Sequence, residues 1–94
     1  MISNEDKQKI IDAAKKYGVS RILLFGSSAI AGKESRDIDL GVSGLPPKQF
    51  FMFYSELYFS LSKPVDLVEL ESKSRFANMV AEEGMPLYGW NSNL

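Results

Sequence analysis

Three aspartates are the residues of this sequence whose type and spacing best suit chemistry. Asp37 and Asp39 are separated by one residue, and Asp66 lies at the head of the later apolar segment 65–70. On a β-strand, side chains two residues apart project from the same face, with Cβ atoms about 6–7 Å apart. Two parallel carboxylates repel each other unless a cation lies between them. The pair therefore predicts a metal site of the kind used in phosphoryl transfer, where metal ions hold the attacking and leaving oxygens.

A Gly-Ser pair, Gly26 and Ser27, follows the apolar run 21–25 and predicts a phosphate-binding turn. Glycine lets the backbone approach a phosphate closely, while the serine hydroxyl and the following amides can donate hydrogen bonds. A helical turn beginning here would add further free N–H groups. Lys33 and Arg36 are nearby cations, but their spacing fixes no direction, and solvated loop charges are the simpler interpretation.

The third carboxylate has two candidates on the same predicted strand, Asp66 and Glu69. They are three residues apart, so they face opposite sides of a strand, and only one can share a cavity with the Asp pair. The sequence pattern alone makes the two residues almost equally good candidates. The prediction is Asp66, which stands near the strand start directly after the apolar Val65. Its expected role is to hold a second metal ion and help deprotonate an attacking hydroxyl.

Composition narrows the classes of function. The chain has 94 residues, which predicts a single domain over residues 1–94. With 11 basic and 12 acidic side chains, the net charge of −1 argues against strong nucleic-acid binding. The sequence contains no cysteine and no histidine, so any metal would meet oxygen ligands, which suit Mg²⁺ or Mn²⁺. The polar N-terminus and the lack of a long apolar run predict a cytoplasmic protein without a membrane span.

Hydrophobic periodicity predicts alternating helices and strands along the chain. The predicted helices cover residues 4–17 and 48–62, with a last one that begins after Ser72 or Ser74 and ends at Gly84. The predicted strands cover residues 21–25, 37–42 and 65–70, joined by a loop over residues 26–36 that has room for one helical turn. The tail is expected to add a short strand or to pack over the core. This order predicts an α/β (α+β) fold, with a small mixed β-sheet packed with helices and not a doubly wound sheet.

Residues 25–40, FGSSAIAGKESRDIDL, resemble the signature of the DNA polymerase β-type nucleotidyltransferase superfamily. That signature is a Gly-Ser pair, a short spacer and then Asp-x-Asp. The small size of the chain and the segment 65–68, VDLV, resemble the minimal branch of the superfamily, the MNT or MntA-like antitoxin domains. The closing segment AEEGMPLYGW is similar to the end of such a domain, so the resemblance covers nearly the whole chain.

The resemblance implies a polymerase β-like fold and transfer of a nucleoside monophosphate, commonly AMP from ATP, to a hydroxyl on a partner. In the minimal branch the partner is often a helical HEPN-domain protein, neutralised by AMP attached to a tyrosine. By match of motif, Gly26 and Ser27 correspond to the phosphate-binding pair. Asp37 and Asp39 correspond to the metal-binding pair for Mg²⁺ or Mn²⁺, and Asp66 corresponds to the third catalytic carboxylate.

Four departures from the family pattern touch the predicted triphosphate loop. Ile30 occupies the place of an arginine, Gly32 falls one residue late, and Arg36 precedes the first aspartate where serine is frequent. The spacer between Ser27 and Asp37 has nine residues, where ten are common. They motivate an alternative hypothesis, in which the fold is kept without turnover and the chain neutralises its partner by binding. Transfer to a small molecule such as an aminoglycoside is disfavoured, because so short a chain leaves little wall for a pocket.

An aromatic segment over residues 50–59 carries more rings than one helix face can bury. The buried face of a core helix would account for about half of these rings. The remainder predict an exposed apolar patch, which is typical of a protein interface. Either a homodimer or a pair of helices from a partner protein would fit it.

Overall fold

The computed structural model describes residues 2–30, 32 and 35–89, and only the backbone at Ser27. These residues form a mixed four-stranded sheet with helices on both faces, which confirms the predicted fold class. The elements in chain order are α1 (Asn4–Tyr17), β1 (Arg21–Leu24), a 3-10 turn (Gly26–Ala29), β2 (Ile38–Ser43), a 3-10 turn (Pro47–Gln49), α2 (Phe50–Ser60), β3 (Val65–Glu69), a 3-10 turn (Leu70–Ser72), α3 (Arg75–Glu83) and β4 (Met85–Tyr88).

Helix α1 begins and ends where its capping residues predict. The Ser3 side chain accepts a hydrogen bond from the backbone N–H of Asp6, which satisfies one of the free donors of the first turn. Gly18 ends the helix in the left-handed conformation, with φ of 74°. The predicted bounds, 4–17, are confirmed, and the face that carries Ile10 is buried in the core.

The sheet has the strand order β3-β2-β1-β4. Strand β1 is antiparallel to both β2 and β4, whereas β2 is parallel to β3. The alternation predicted for β2 is confirmed, since Ile38, Leu40 and Val42 are fully buried on one face. The strand begins at Ile38 and not at Asp37, because the Asp37 carbonyl accepts hydrogen bonds from two serine hydroxyls, outside the strand ladder.

The two faces of the sheet are covered differently. Helices α1 and α2 pack on the face of Leu40, where Phe53 and Leu57 of α2 are completely buried. Helix α3 packs on the other face, over Gly41. A Cβ atom on Gly41 would lie 2.9 Å from Cγ1 of Val80, so the missing side chain allows α3 to approach β2. Asp39, two residues before Gly41, therefore faces the same side of the sheet as α3.

The C-terminal elements show which serine caps the last helix and what the residues after Gly84 form. Ser74 caps α3 by accepting from the N–H of Ala77, and the chain turns at Gly84 into β4, an added edge strand. The predicted helix 48–62 is shorter than expected, since a 3-10 turn precedes α2 and the helix ends at Ser60. Residues 90–94 of the predicted tail lie outside the described residues. None of the helices in the described part of the chain is both long and apolar enough to span a bilayer.

Candidate active site

Asp39 and Asp66 are paired across the parallel strands β2 and β3. Residues that face each other in a sheet point to the same side, so both carboxylates lie on the α3 side. Asp39 is half-buried and Asp66 is exposed. Glu69, the other candidate, is paired with Val42, whose side chain lies in the opposite, core-facing layer. The structure thus brings Asp66 to Asp39 and leaves Glu69 away from it.

The carboxyl group of Asp39 is partly buried and lies near two other carboxylates. Burial raises the pKa of the Asp39 carboxyl, and the negative charges of Asp66 and Asp37 raise it further, together with a side-chain hydrogen bond to Asp66. All three influences disfavour the ionised form in the free protein. A bound cation would reverse the balance, because its charge favours ionised carboxylates.

Asp37 lies one residue before β2 and is exposed. Its charge acts on Asp39, yet within residues 2–30, 32 and 35–89 no group of three or more carboxylates stands in position to hold a metal ion. The predicted convergence of three aspartates is thus a cross-strand pair with a third carboxylate nearby. The donor set consists of oxygens alone, which fits a hard divalent cation such as Mg²⁺ or Mn²⁺.

Gly26 brings the predicted phosphate turn directly against this pair. Its φ is 62°, in the left-handed region, and a Cβ atom there would lie 2.8 Å from Oδ2 of Asp39. The N–H of Phe25 also donates to the Asp39 carbonyl at 3.1 Å. Only glycine therefore fits this conformation and this contact together. The side chain of Ser27 lies outside the described part of the structure, so its phosphate role stays a prediction.

Ser28 is a site residue that the sequence reasoning missed. Its side chain is completely buried, and its hydroxyl donates to the Asp37 carbonyl at 3.0 Å while accepting from the Asp39 N–H at 3.0 Å. A hydroxyl can donate and accept at once, so Ser28 ties the turn to the backbone on both sides of Ile38. The only signal in the sequence is the second serine after Gly26.

The loop before Asp37 is held by polar contacts. Ser35 is buried and donates its hydroxyl to the Asp37 carbonyl at 2.7 Å. The ammonium of Lys63 donates to the Ser35 carbonyl at 2.7 Å, which fixes a cation beside this loop. Of the two cations considered from the sequence, Arg36 is exposed and Lys33 lies outside the described residues.

A cleft of about 530 Å³ adjoins the carboxylate pair on the β1 side, between the 3-10 turn and α3. It shares Gly26 with the pair, and the rings of Phe25 and Phe76 meet edge to face at 5.6 Å. The cleft is mainly apolar, with one carboxylate in its lining. The lining residues are Phe25, Gly26, Ala29, Ile30, Phe76, Met79, Val80 and Glu83. Ile30 thus presents an apolar side chain to a space that adjoins the phosphate turn.

The chain is similar to known proteins over most of its length. Residues 8–93 match the family model described as polymerase beta, nucleotidyltransferase. No curated protein matches the chain.

Several solved structures are similar to the chain over most of its length. One is a toxin–antitoxin with AMP-PNP, at 28% identity and a TM-score of 0.73, covering 93% of this chain and 76% of that one. The toxin–antitoxin MntA-HepT is 26% identical with a TM-score of 0.70, covering 97% and 76%. A third is the tri-AMPylated Shewanella oneidensis HEPN toxin in complex with MNT antitoxin, at 28% identity and a TM-score of 0.69, covering 94% and 73%.

Proposed function

This chain belongs to the polymerase β nucleotidyltransferase family, and from that premise we propose that it transfers AMP from ATP to a hydroxyl of a helical HEPN-type partner. The chain would thereby act as the antitoxin of a toxin–antitoxin pair. The observation that carries the proposal is the cross-strand pairing of Asp39 with Asp66 against the Gly26 turn. Two carboxylates beside a turn that admits close approach of a phosphate are what metal-dependent nucleotidyl transfer requires.

In this proposal Asp39 and Asp66, with Asp37 beside them, would hold Mg²⁺ or Mn²⁺, which would neutralise phosphate charge when bound. The backbone after Gly26 approaches the phosphate oxygens, and its N–H groups donate to them. Asp66 is exposed and next to Asp39, so an incoming hydroxyl can reach its carboxylate. Its oxygen accepts the proton of that hydroxyl as the hydroxyl oxygen bonds to the α-phosphorus of ATP, while the bond from that phosphorus to the leaving pyrophosphate breaks.

The choice of partner rests on the similar structures, which include a HEPN toxin that carries AMP and is bound to an MNT antitoxin. The rival proposal is a module that binds the same partner without turnover. Ile30 favours the rival, because it places an apolar group where the family pattern has an arginine, at the wall of the cleft beside the turn. The two proposals share the fold and the partner and differ only in whether AMP is transferred.

The deciding experiment mixes the purified chain with a HEPN-type protein, Mg²⁺ and ATP labelled in the α-phosphate. We expect label on the partner and a mass increase of one or more AMP units. Asp37→Asn and Asp39→Asn should abolish labelling, whereas Asp12→Asn on α1 should retain it. A tight complex whose partner gains no mass would support the binding module instead, and undiminished labelling by the site variants would remove the assignment of the aspartates.

A further inference from the structure

Helix α2 exposes an apolar surface on the side away from the sheet, interrupted by the small, half-buried Ser55. Its members are Phe51, Met52, Tyr58 and Phe59, with exposed fractions of 74%, 54%, 56% and 84%. At about 100° per residue they fall within one arc of roughly 120° around the helix axis. We call this surface the α2 apolar face. Since the opposite side of α2 packs in the core, the helix is apolar on both sides, unlike an ordinary surface helix.

The α2 apolar face carries no charge, and its two C-terminal rings contact each other and Tyr54. The ring centroids of Tyr54 and Tyr58 are 6.1 Å apart, and those of Tyr58 and Phe59 are 5.1 Å apart. The one charged residue of α2, Glu56, points to α1, where its carboxylate accepts from Lys16 at 2.9 Å and from the Tyr17 hydroxyl at 3.0 Å. Docking would therefore desolvate no charge on this face.

The size and chemistry of the face fit a second copy of the same chain, and we infer that two copies pair through it about a two-fold axis. Given their exposure, the four side chains present roughly 500 Å² of apolar surface. Two such faces together reach the approximately 1,000 Å² that a specific interface needs. In a two-fold contact each surface meets itself, and an uncharged face can do so without like-charge repulsion.

The position of the face leaves the candidate active site open. Helix α2 packs on the sheet face opposite to α3, whereas Asp39 and Asp66 lie on the α3 side. A protein that presents a hydroxyl to these carboxylates must approach from that side, so it does not compete for the α2 apolar face. This step uses the proposed function; the area and the lack of charge do not depend on it.

The test is the mass of the full chain in solution without any partner, measured by sedimentation velocity over a range of concentrations up to about 100 µM. We expect a species of twice the 10.5 kDa chain mass. Phe59→Glu and Met52→Glu should each weaken the dimer by about 30-fold or more, because each dimer would then bury two carboxylates near the axis. Circular dichroism and thermal unfolding should show that both variants fold, since both positions are exposed.

Met79→Glu is the matched control, because Met79 is a similarly exposed methionine on α3, at 44%. It should dimerise as the wild type does. A wild-type chain that stays monomeric at all concentrations, or one that associates only after a helical partner is added, would overturn the inference. Equal weakening by Met52→Glu and Met79→Glu would also overturn it. Phe59→Glu should still label the partner, so a failure of pairing is distinct from a failure of the proposed function.

Discussion

Asp39 on β2 and Asp66 on β3 face each other across two parallel strands, so their carboxylates share one side of the sheet. The pairing depends on the strand register. A shift of one residue would turn Asp66 to the opposite face and remove it from the site. The neighbouring pairs on either side, Ile38 with Val65 and Leu40 with Leu67, lie in the apolar layer beneath α1 and α2. The hydrophobic core therefore fixes the register that brings the two acids together.

Asp66→Asn should lower the rate of AMP transfer by about 100-fold or more, since it removes both a proposed metal ligand and the proposed proton acceptor. Glu69→Gln is the matched control, because it removes one carboxylate from the same strand on the other face. Its rate of AMP transfer should stay within about twofold of the wild-type rate, because Glu69 is expected neither to bind metal nor to accept the proton. The initial rate of labelling from α-labelled ATP measures both. If both variants lost the same share of the labelling rate, the loss would come from a general effect on strand β3 and not from the position of Asp66 in the site.

Comparing Gly26→Ala with Gly18→Ala distinguishes the effect of backbone strain, which both variants have, from damage to the site, which only Gly26→Ala should cause. Both glycines have φ in the left-handed region, so each alanine should cost about 1–2 kcal/mol of folding free energy. At Gly18 a Cβ atom meets nothing within 4 Å, but at Gly26 it would press on Oδ2 of Asp39. We expect the rise in melting temperature with Mg²⁺ and ATP to persist in Gly18→Ala and to vanish in Gly26→Ala. A full rise in Gly26→Ala would contradict the close approach of nucleotide to this turn.

Features that rest on local signals could be predicted from the sequence. The capping of α1 by Ser3 and Gly18, and the alternation along β2, depend on neighbouring residues, and the structure confirms both. The pairing of Asp66 with Asp39 could not be derived from periodicity. It depends on the parallel register of strands separated by a helix, and the pattern left Glu69 nearly as good a candidate.

The missed features depend on contacts that only the fold creates. The hydroxyl of Ser28 is recognisable only when its two backbone partners, at Asp37 and Asp39, are seen on either side of it. The same contact moves the start of β2 to Ile38, because it occupies the Asp37 carbonyl. The role of Ser27 remains a prediction, as do the roles of the three aspartates, which the aspartate variants test.

Asp39→Asn should make the free protein more stable while it removes activity. The pKa of Asp39 is raised by burial and by the charges of Asp66 and Asp37, so its ionised form destabilises the folded state at neutral pH. Asparagine removes that repulsion. We expect a melting temperature higher by about 1–4 °C, since solvent screens much of the repulsion and 1 kcal/mol moves the midpoint of a domain this size by about 4–8 °C.

Differential scanning calorimetry without metal or nucleotide would measure this gain. In the presence of Mg²⁺ and ATP the order should reverse, because the wild type alone gains binding energy at the site. An Asp39→Asn chain that melts below the wild type without ligand would show that the carboxylate stabilises the fold, and would contradict the strained pair described above.

The ionised carboxylate of Glu71 should stabilise the fold at neutral pH, whereas that of Asp39 destabilises it. Its carboxylate accepts from the Ser43 hydroxyl at 2.6 Å and from the Gly44 N–H at 2.9 Å. The Ser43 hydrogen bond lowers the pKa of Glu71, with a smaller contribution from Gly44 against an opposing effect of burial. A carboxyl whose pKa is lower in the folded state stabilises the fold above its ordinary pKa. That contribution is lost as the pH falls through the lowered value.

Glu71→Gln should therefore lower the free energy of unfolding by about 0.5–1 kcal/mol at neutral pH, which is what remains of a charge-assisted hydrogen bond at an exposed side chain. The difference from the wild type should disappear below the lowered pKa of Glu71, where both side chains are neutral. Urea denaturation at a series of pH values measures it. Ser43→Ala should reduce the pH dependence while the carboxylate is still present, because it removes the main cause of the shift. A difference between Glu71→Gln and the wild type that stays constant down to acidic pH would assign the loss to packing and not to charge.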